Sequence, residues 1–234
     1  DQDDGSIRKI NFNSDVAGTE VCTITVPRDT WAGCTSELYG YAAGGYIGGG
    51  FHDVIDKITF SADTSSTDVG NLIGAKRSGG ASNSETYGYL HGGYAGGNTD
   101  VIERYQMVAT ADADEVGDLS LARNYCGGNS DIPNNYGYAT GGYGDIDLVD
   151  RYQMVATANA SGVGNFSNGQ ASHANQSTDA YGYQSGGGEP SQSNYIRRFA
   201  FAGSFSSTDV GDLTVARFDC TGMSSTSYGY SAGG

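Results

Sequence analysis

The tripeptide Tyr-Gly-Tyr occurs five times, beginning at Tyr39, Tyr87, Tyr136, Tyr181 and Tyr228, at intervals of 48, 49, 45 and 47 residues. After two further residues each copy meets a Gly pair, in YGYAAGG, YGYLHGG, YGYATGG, YGYQSGG and YGYSAGG. A second segment recurs in step with the first: IRKINF, IDKITF, IERYQM, VDRYQM and IRRFAF, with a basic residue at Lys9, Lys57, Arg104, Arg151 and Arg198. A third begins at Val21, Val69, Val116, Val163 and Val210, and seven residues past each valine stands Arg28, Lys76, Arg123, Gln170 or Arg217. A repeat of this length is one supersecondary unit that cannot bury its apolar face alone, so neighbouring copies must stack.

Each copy reads as four short strands, a to d. Strand a follows the basic residue and is small and polar, as in NYCGGNS and FDCTGMS. Strand b is the YGYxxGG segment, strand c the IxxIxF-type segment and strand d the Val-initiated one. Alternation in strand c sets Ile55, Lys57 and Thr59 on one face and Asp56, Ile58 and Phe60 on the other. No segment sustains a 3.6-residue apolar period, so helix should be negligible. Four-stranded repeats of this size are what a propeller blade needs, which predicts an all-β chain forming a five-bladed β-propeller of antiparallel blades.

The order of strands at the two ends sharpens that expectation. The chain starts in strand c (Ile7 to Phe12) and strand d (Val21 to Val26), and ends in strands a and b. Residues 7–26 and 218–234 are therefore expected to share a composite blade that closes residues 1–234 into one domain. Closure would remove the free sheet edges that invite aggregation. In strand a the aligned positions Gly33, Ala81, Gly128, Asn175 and Gly222 are small or short, as crowding at an axis demands.

The Gly pair ending one strand, the aromatic strand b and the Arg before the next inner strand resemble the kelch family. The tryptophan common in kelch modules is missing, and Trp31 lies outside the expected strand. The phrase STDVGDLTVAR, with YGYxxGG following, is also similar to repeats in structural proteins of tailed bacteriophages, especially marine ones. That resemblance implies a fibre, decoration or receptor-binding component at a virion surface or in the extracellular space, whose partners are other virion proteins or a host-surface glycan or protein.

Charge narrows the partners. Lys plus Arg number 12 against 27 Asp plus Glu, for a net charge of −15. Such a surface repels phosphate backbones and anionic lipid, so neither nucleic acid nor membrane insertion is expected. No apolar run approaches the roughly 18 residues of a membrane-spanning helix. The four cysteines show no CxxC spacing and no pairing with histidine, so metal binding is not expected, nor is any other cofactor. Cys126 and Cys220 hold equivalent places in different repeats, too far apart to bridge, and buried free thiols are expected.

Several residue sets invite a chemical reading. The Gly pairs carry no GxGxxG before a helix and no Walker lysine, and read as sites of close packing. Both tyrosines of each YGY project to one sheet face and are expected in the layer between blades, their hydroxyls on backbone partners. Tyr46, Tyr94 and Tyr143, just past three Gly pairs, begin b–c loops spanning 46–53, 94–100 and 143–147, with a fourth at 188–194. Exposed aromatic faces on such loops suit sugars and protein partners. Arg28, Lys76, Arg123 and Arg217 recur like structural residues bridging carbonyls or an acid, although a basic ring clamping a carboxylate or phosphate is the sharper alternative. Both sets fall on the b–c face, the candidate binding face. The Asp-rich c–d loops lack calcium-loop spacing. His52, His91 and His173 hold non-equivalent places and make no triad with serine and aspartate. No catalytic residue is therefore expected, and the leading reading is a non-enzymatic virion module. A lectin of other origin, of the five-bladed tachylectin type, is the alternative. A propeller-fold glycosidase or oxidase ranks third.

Overall fold

The computed structural model describes residues 5–11, 16–188 and 191–234, and these form strands and turns with no helix among them. Two short strands come first, β1 (Ser6–Lys9) and β2 (Thr19–Thr23), paired antiparallel. Four complete units follow, each a four-stranded antiparallel sheet in sequence order. Blade I comprises β3 (Ala32–Thr35), β4 (Tyr39–Ile47), β5 (Gly50–Thr59) and β6 (Thr67–Asn71). Blade II comprises β7 (Gly80–Asn83), β8 (Tyr87–His91), β9 (Val101–Gln106) and β10 (Asp114–Asp118). Blade III comprises β11 (Gly127–Asp131), β12 (Tyr136–Thr140), β13 (Leu148–Gln153) and β14 (Ser161–Asn165). Blade IV comprises β15 (Ala174–Ser177), β16 (Tyr181–Ser185), β17 (Ser193–Ala200) and β18 (Ser207–Arg217), after which β19 (Cys220–Ser224) and β20 (Gly229–Gly233) pair with each other. The a-to-d order expected from the repeat is thus present four times in full, in a propeller-like arrangement. Phe12, expected to end the first strand c, lies outside the described residues.

Register follows the repeat. Gly40 faces Ile58, Gly88 faces Tyr105, Gly137 faces Tyr152 and Gly182 faces Phe199 across each b–c pair. The glycine is required: a Cβ on Gly88 or Gly137 would run into the ring of Tyr105 or Tyr152. Above the first tyrosine of YGY in blades I to IV sits the strand-c cation, with Arg104 4.7 Å from the Tyr87 ring centre and Arg151 4.5 Å from that of Tyr136. The second tyrosine reaches into the next blade. Tyr41, Tyr89 and Tyr138 are buried, and their hydroxyls donate to the carbonyls of Met107, Met154 and Phe201. The apolar core is therefore laminated between successive blades, as in the cluster of Tyr89, Ile102, Val116, Ala139, Tyr152 and Met154.

A feature without a glycine signature ties the blades together near strand a. Thr30, Ser78, Tyr125, Ser172 and Asp219 occupy the left-handed region, at φ of 49°, 56°, 50°, 53° and 53°. A side chain there costs about 1 kcal/mol or more. The strain is held by a relay of backbone hydrogen bonds from blade to blade. The N–H of Ser78 donates to the Thr30 carbonyl, Tyr125 to Ser78, Ser172 to Tyr125 and Cys220 to Ser172. Close approach follows, and a Cβ on Gly128 would overlap the Ala81 carbonyl, as one on Gly222 would overlap that of Asn175.

All four cysteines are free thiols, three buried and Cys220 half-buried. His91 and His173 are buried too, His91 between Tyr152 and the Gly127 carbonyl, and His173 against Thr140. Burial holds His91 down at about 4 and His173 at about 3, below the ordinary value of 6.5. Unfolded histidines take up protons first as pH falls, so the stability from keeping these two neutral is complete above about 6.5 and is lost below it. By pH 4 the loss should reach about 3 kcal/mol per histidine. Urea titrations between pH 7 and 4 should show a flatter decline for His91→Gln than for the parent. Parallel curves would disprove the assignment.

The ends differ from a completed blade. No strand pairing joins β20 to β1 among the described residues, and β1–β2 and β19–β20 remain two separate two-stranded sheets. Strand β18 shows what this leaves open: Val210 is 44% exposed, whereas its equivalents Val69 and Val116 are 3% exposed beneath the next blade.

Candidate functional site

The repeated cations lie inside the blades. Arg28 is buried in blade I, where its guanidinium donates to the carbonyls of Gly44 and Ala42 and meets Asp56 Oδ2 at 2.8 Å. Lys76 pairs with Glu103 in blade II, and Arg123 with Asp150 at 3.0 Å in blade III. Each acid also accepts from the chain entering its blade: Asp56 from Thr25 N–H, Glu103 from Ile73 N–H and Asp150 from Ser120 N–H. The set thus fastens strand c to the segment preceding strand a. Removing one partner would leave a buried, uncompensated charge. Arg28, Lys76 and Arg123 consequently do not converge on a common ligand position.

Blade IV reverses the arrangement. Arg197 stands where the other blades carry an acid, opposite Gln184 in the register that sets Asp56 opposite Ala42. Its cation position is the neutral Gln170, and Arg197 donates to the carbonyl and side chain of Asn168. Arg217, the fifth of the series, is less buried and donates to the carbonyls of Val215 and Gly233.

The loop tyrosines fall into two groups on the face formed by the d–a and b–c turns. The residue after each Gly pair bonds to the d–a turn: Tyr46 with Asp29, Tyr94 with Arg77, Tyr143 with Asn124 and Gly188 with Ala171. Tyr46 and Tyr94 are half-buried, flanking Arg77, whose guanidinium lies 4.7 and 5.8 Å from their ring centres. In blade I the expected b–c loop is largely a continuation of the hairpin, since β4 runs to Ile47 and β5 starts at Gly50. Tyr143 is 56% exposed, with Tyr125 at 6.3 Å between ring centres.

Beside Tyr143 a cleft of about 400 Å³ opens, lined by Tyr125, Tyr143, Ser172, Gln192, Phe218 and Asp219 among others. Its cause is a break in the repeat. Gly188 replaces the tyrosine that follows the Gly pair in blades I to III, so no ring fills the space beside Phe218. Residues 189 and 190 of the fourth b–c loop lie outside the described residues. Tyr125, Phe218 and Asp219 were not singled out by sequence reasoning as site residues. The signal available was the missing tyrosine at position 188, together with the exchanged pair Gln170 and Arg197 in the same blade. Aromatic walls with a few hydroxyl, amide and carboxylate groups suit a ligand having an apolar face and polar edges. Among the described residues no group of three or more His, Cys, Asp or Glu has the spacing to hold a metal ion. No family model matches the chain, and no curated protein is significantly similar to it.

Proposed function

We propose that this chain is a non-catalytic binding module, a virion component of a tailed phage in the fibre, decoration or receptor-binding class. It would engage a host-surface glycan or protein through the face of its b–c and d–a turns. The observation that supports binding there is the cleft beside Tyr143, where one blade departs from an otherwise regular repeat and three aromatic rings line the opening. The virion assignment rests on the likeness of STDVGDLTVAR and YGYxxGG to phage repeats. The finer architecture in this proposal is a five-bladed ring. Five inner strands, β3, β7, β11, β15 and β19, already follow one another, and residues 7–26 with 218–234 are the sequence-level candidates for its last blade.

A lectin with one sugar site per blade is the second reading. It requires equivalent pockets, whereas the cleft forms where Gly188 replaces tyrosine. Binding to immobilised mono- and disaccharides and to host-surface extracts should separate the two through stoichiometry, with one site per chain expected. Tyr125→Ser with Tyr143→Ser should weaken binding by about tenfold or more, as for aromatic anchors at other interfaces. The thermal midpoint should stay within about 2 °C, because neither ring packs in a blade core. Unchanged affinity in that double variant would remove the cleft from consideration. Several equivalent sites per chain would favour the lectin.

A further inference from the structure

Where each b–c turn meets a d–a turn, the repeat places the same positions side by side, and one blade shows what that place holds. Arg77 stands between two rings, Tyr94 of its own blade and Tyr46 of the blade before, with its guanidinium 4.7 Å from the Tyr46 ring centre and 5.8 Å from that of Tyr94. Among the described residues no acid pairs with it, and its Nε has no hydrogen-bond partner, so the two rings hold the charge. In blades III and IV the position of Arg77 is taken by Asn124 and Ala171. Around Ala171 the preceding ring is Tyr143, while its own blade supplies Gly188. One ring therefore stays while the cation and the second ring are gone, and the cleft of about 400 Å³ is the space they leave. Tyr125, Tyr143, Ala171 and Gly188 belong to blades III and IV or to the turns leading into them, both blades being four-stranded in the structure.

Two exchanges equip that space for a cation. At the left-handed position Tyr125 brings a ring where Thr30, Ser78 and Ser172 have none, its centre 6.3 Å from that of Tyr143 at an angle of 51°. At the same position Asp219 brings an exposed carboxylate to the cleft. Tyrosine faces on this chain repeatedly carry a cation: Lys57 lies over Tyr39, Arg104 over Tyr87, Arg151 over Tyr136 and Arg198 over Tyr181. Among the described residues no cation lies over Tyr143, whose ring is 56% exposed.

We infer that the cleft receives the guanidinium of an arginine side chain presented by a protein partner, which takes beside Tyr143 the place that Arg77 fills beside Tyr46. The inference rests on the cleft being the binding site put forward above. The planar cation stacks on the rings, Asp219 supplies the opposite charge, and the Gln192 side-chain carbonyl can accept from the guanidinium edge. The net charge of −15 draws a basic partner surface towards this face. A neutral sugar would meet the same rings, but the occupant that the repeat itself places here is a guanidinium.

The test titrates the whole chain with the peptide acetyl-Gly-Arg-Gly-amide and with the same peptide carrying citrulline, which keeps the shape of the side chain and removes its charge. Binding is read from the ring-proton NMR shifts of Tyr125 and Tyr143. The arginine peptide should saturate one site per chain and bind at least about tenfold more tightly than the citrulline peptide. Asp219→Asn, which keeps a residue suited to left-handed backbone, should weaken the arginine peptide by about threefold and reduce its dependence on salt. Ala171→Arg should abolish binding by giving Tyr143 a guanidinium of the chain's own, with the cooperative melt retained. No saturable shift with the arginine peptide, equal affinity for the two peptides, tighter binding of glucosamine or of a neutral disaccharide, or unchanged affinity in either variant would overturn the inference. So would host-surface binding that is lost in the Tyr125→Ser, Tyr143→Ser variant yet is not competed by the arginine peptide, in which case the cleft would remain the binding site. Arginine-peptide binding by a chain that captures nothing from host-surface extracts would support the inference and count against the virion reading alone.

Discussion

Tyr89→Ala should destabilise the chain by about 3–5 kcal/mol, the range for truncating a large buried aromatic. The ring is 1% exposed between blades II and III, packed at 5.7 Å from the Tyr152 ring centre, and its hydroxyl donates to the Met154 carbonyl. Truncation empties the layer that holds two blades together and leaves that carbonyl without its donor. Tyr94→Ala, only five residues further on, should cost about 1 kcal/mol or less. Its ring is half-buried beside Arg77, and its backbone pairing with Arg77 survives the substitution. Urea unfolding of the two variants checks the contrast, and equal losses would mean that the lamination between blades is not where the core lies. Tyr89→Phe separates the terms, since it keeps the ring and deletes only the hydroxyl, and should cost about 1 kcal/mol.

What the sequence made legible, and what it hid, follows from which interactions are periodic. Strands b, c and d announce themselves because the same side chain does the same work in every copy, as the Gly of YGY does beneath Tyr105 or Tyr152. The left-handed residues were not legible. Thr30, Ser78, Tyr125, Ser172 and Asp219 range over four residue types, because their conformation is imposed by hydrogen bonds from the neighbouring blade and not by their own preferences. The role of the repeated cations was half legible. Recurrence marked Arg28, Lys76 and Arg123 as structural, yet their acids sit 28, 27 and 27 residues downstream, inside an alternating strand whose pattern does not mark them. The exception at Gln170, coinciding with Arg197 in the acid column, was the clue to that pairing. The cleft was hidden for the opposite reason, since it comes from a tyrosine that is absent at Gly188.

That exchanged pair also makes the last large effect calculable in sign. Gln170→Arg would rebuild the cation of blades I to III against a strand that carries Arg197, which is 5% exposed. Two guanidinium groups would then share a buried site where Arg197 already takes the carbonyl and side chain of Asn168. The expected loss is about 3–5 kcal/mol, the cost of a buried charge without a partner. Arg197→Asp alone should also destabilise, because a buried carboxylate would face the neutral Gln170. Together the two substitutions recreate the set found at Arg123 and Asp150, so the double variant should recover part of the summed loss, with a coupling energy of about 2–3 kcal/mol in a double-mutant cycle. Additive losses would show that the cation and the acid act independently, which would remove the fastening role of these pairs.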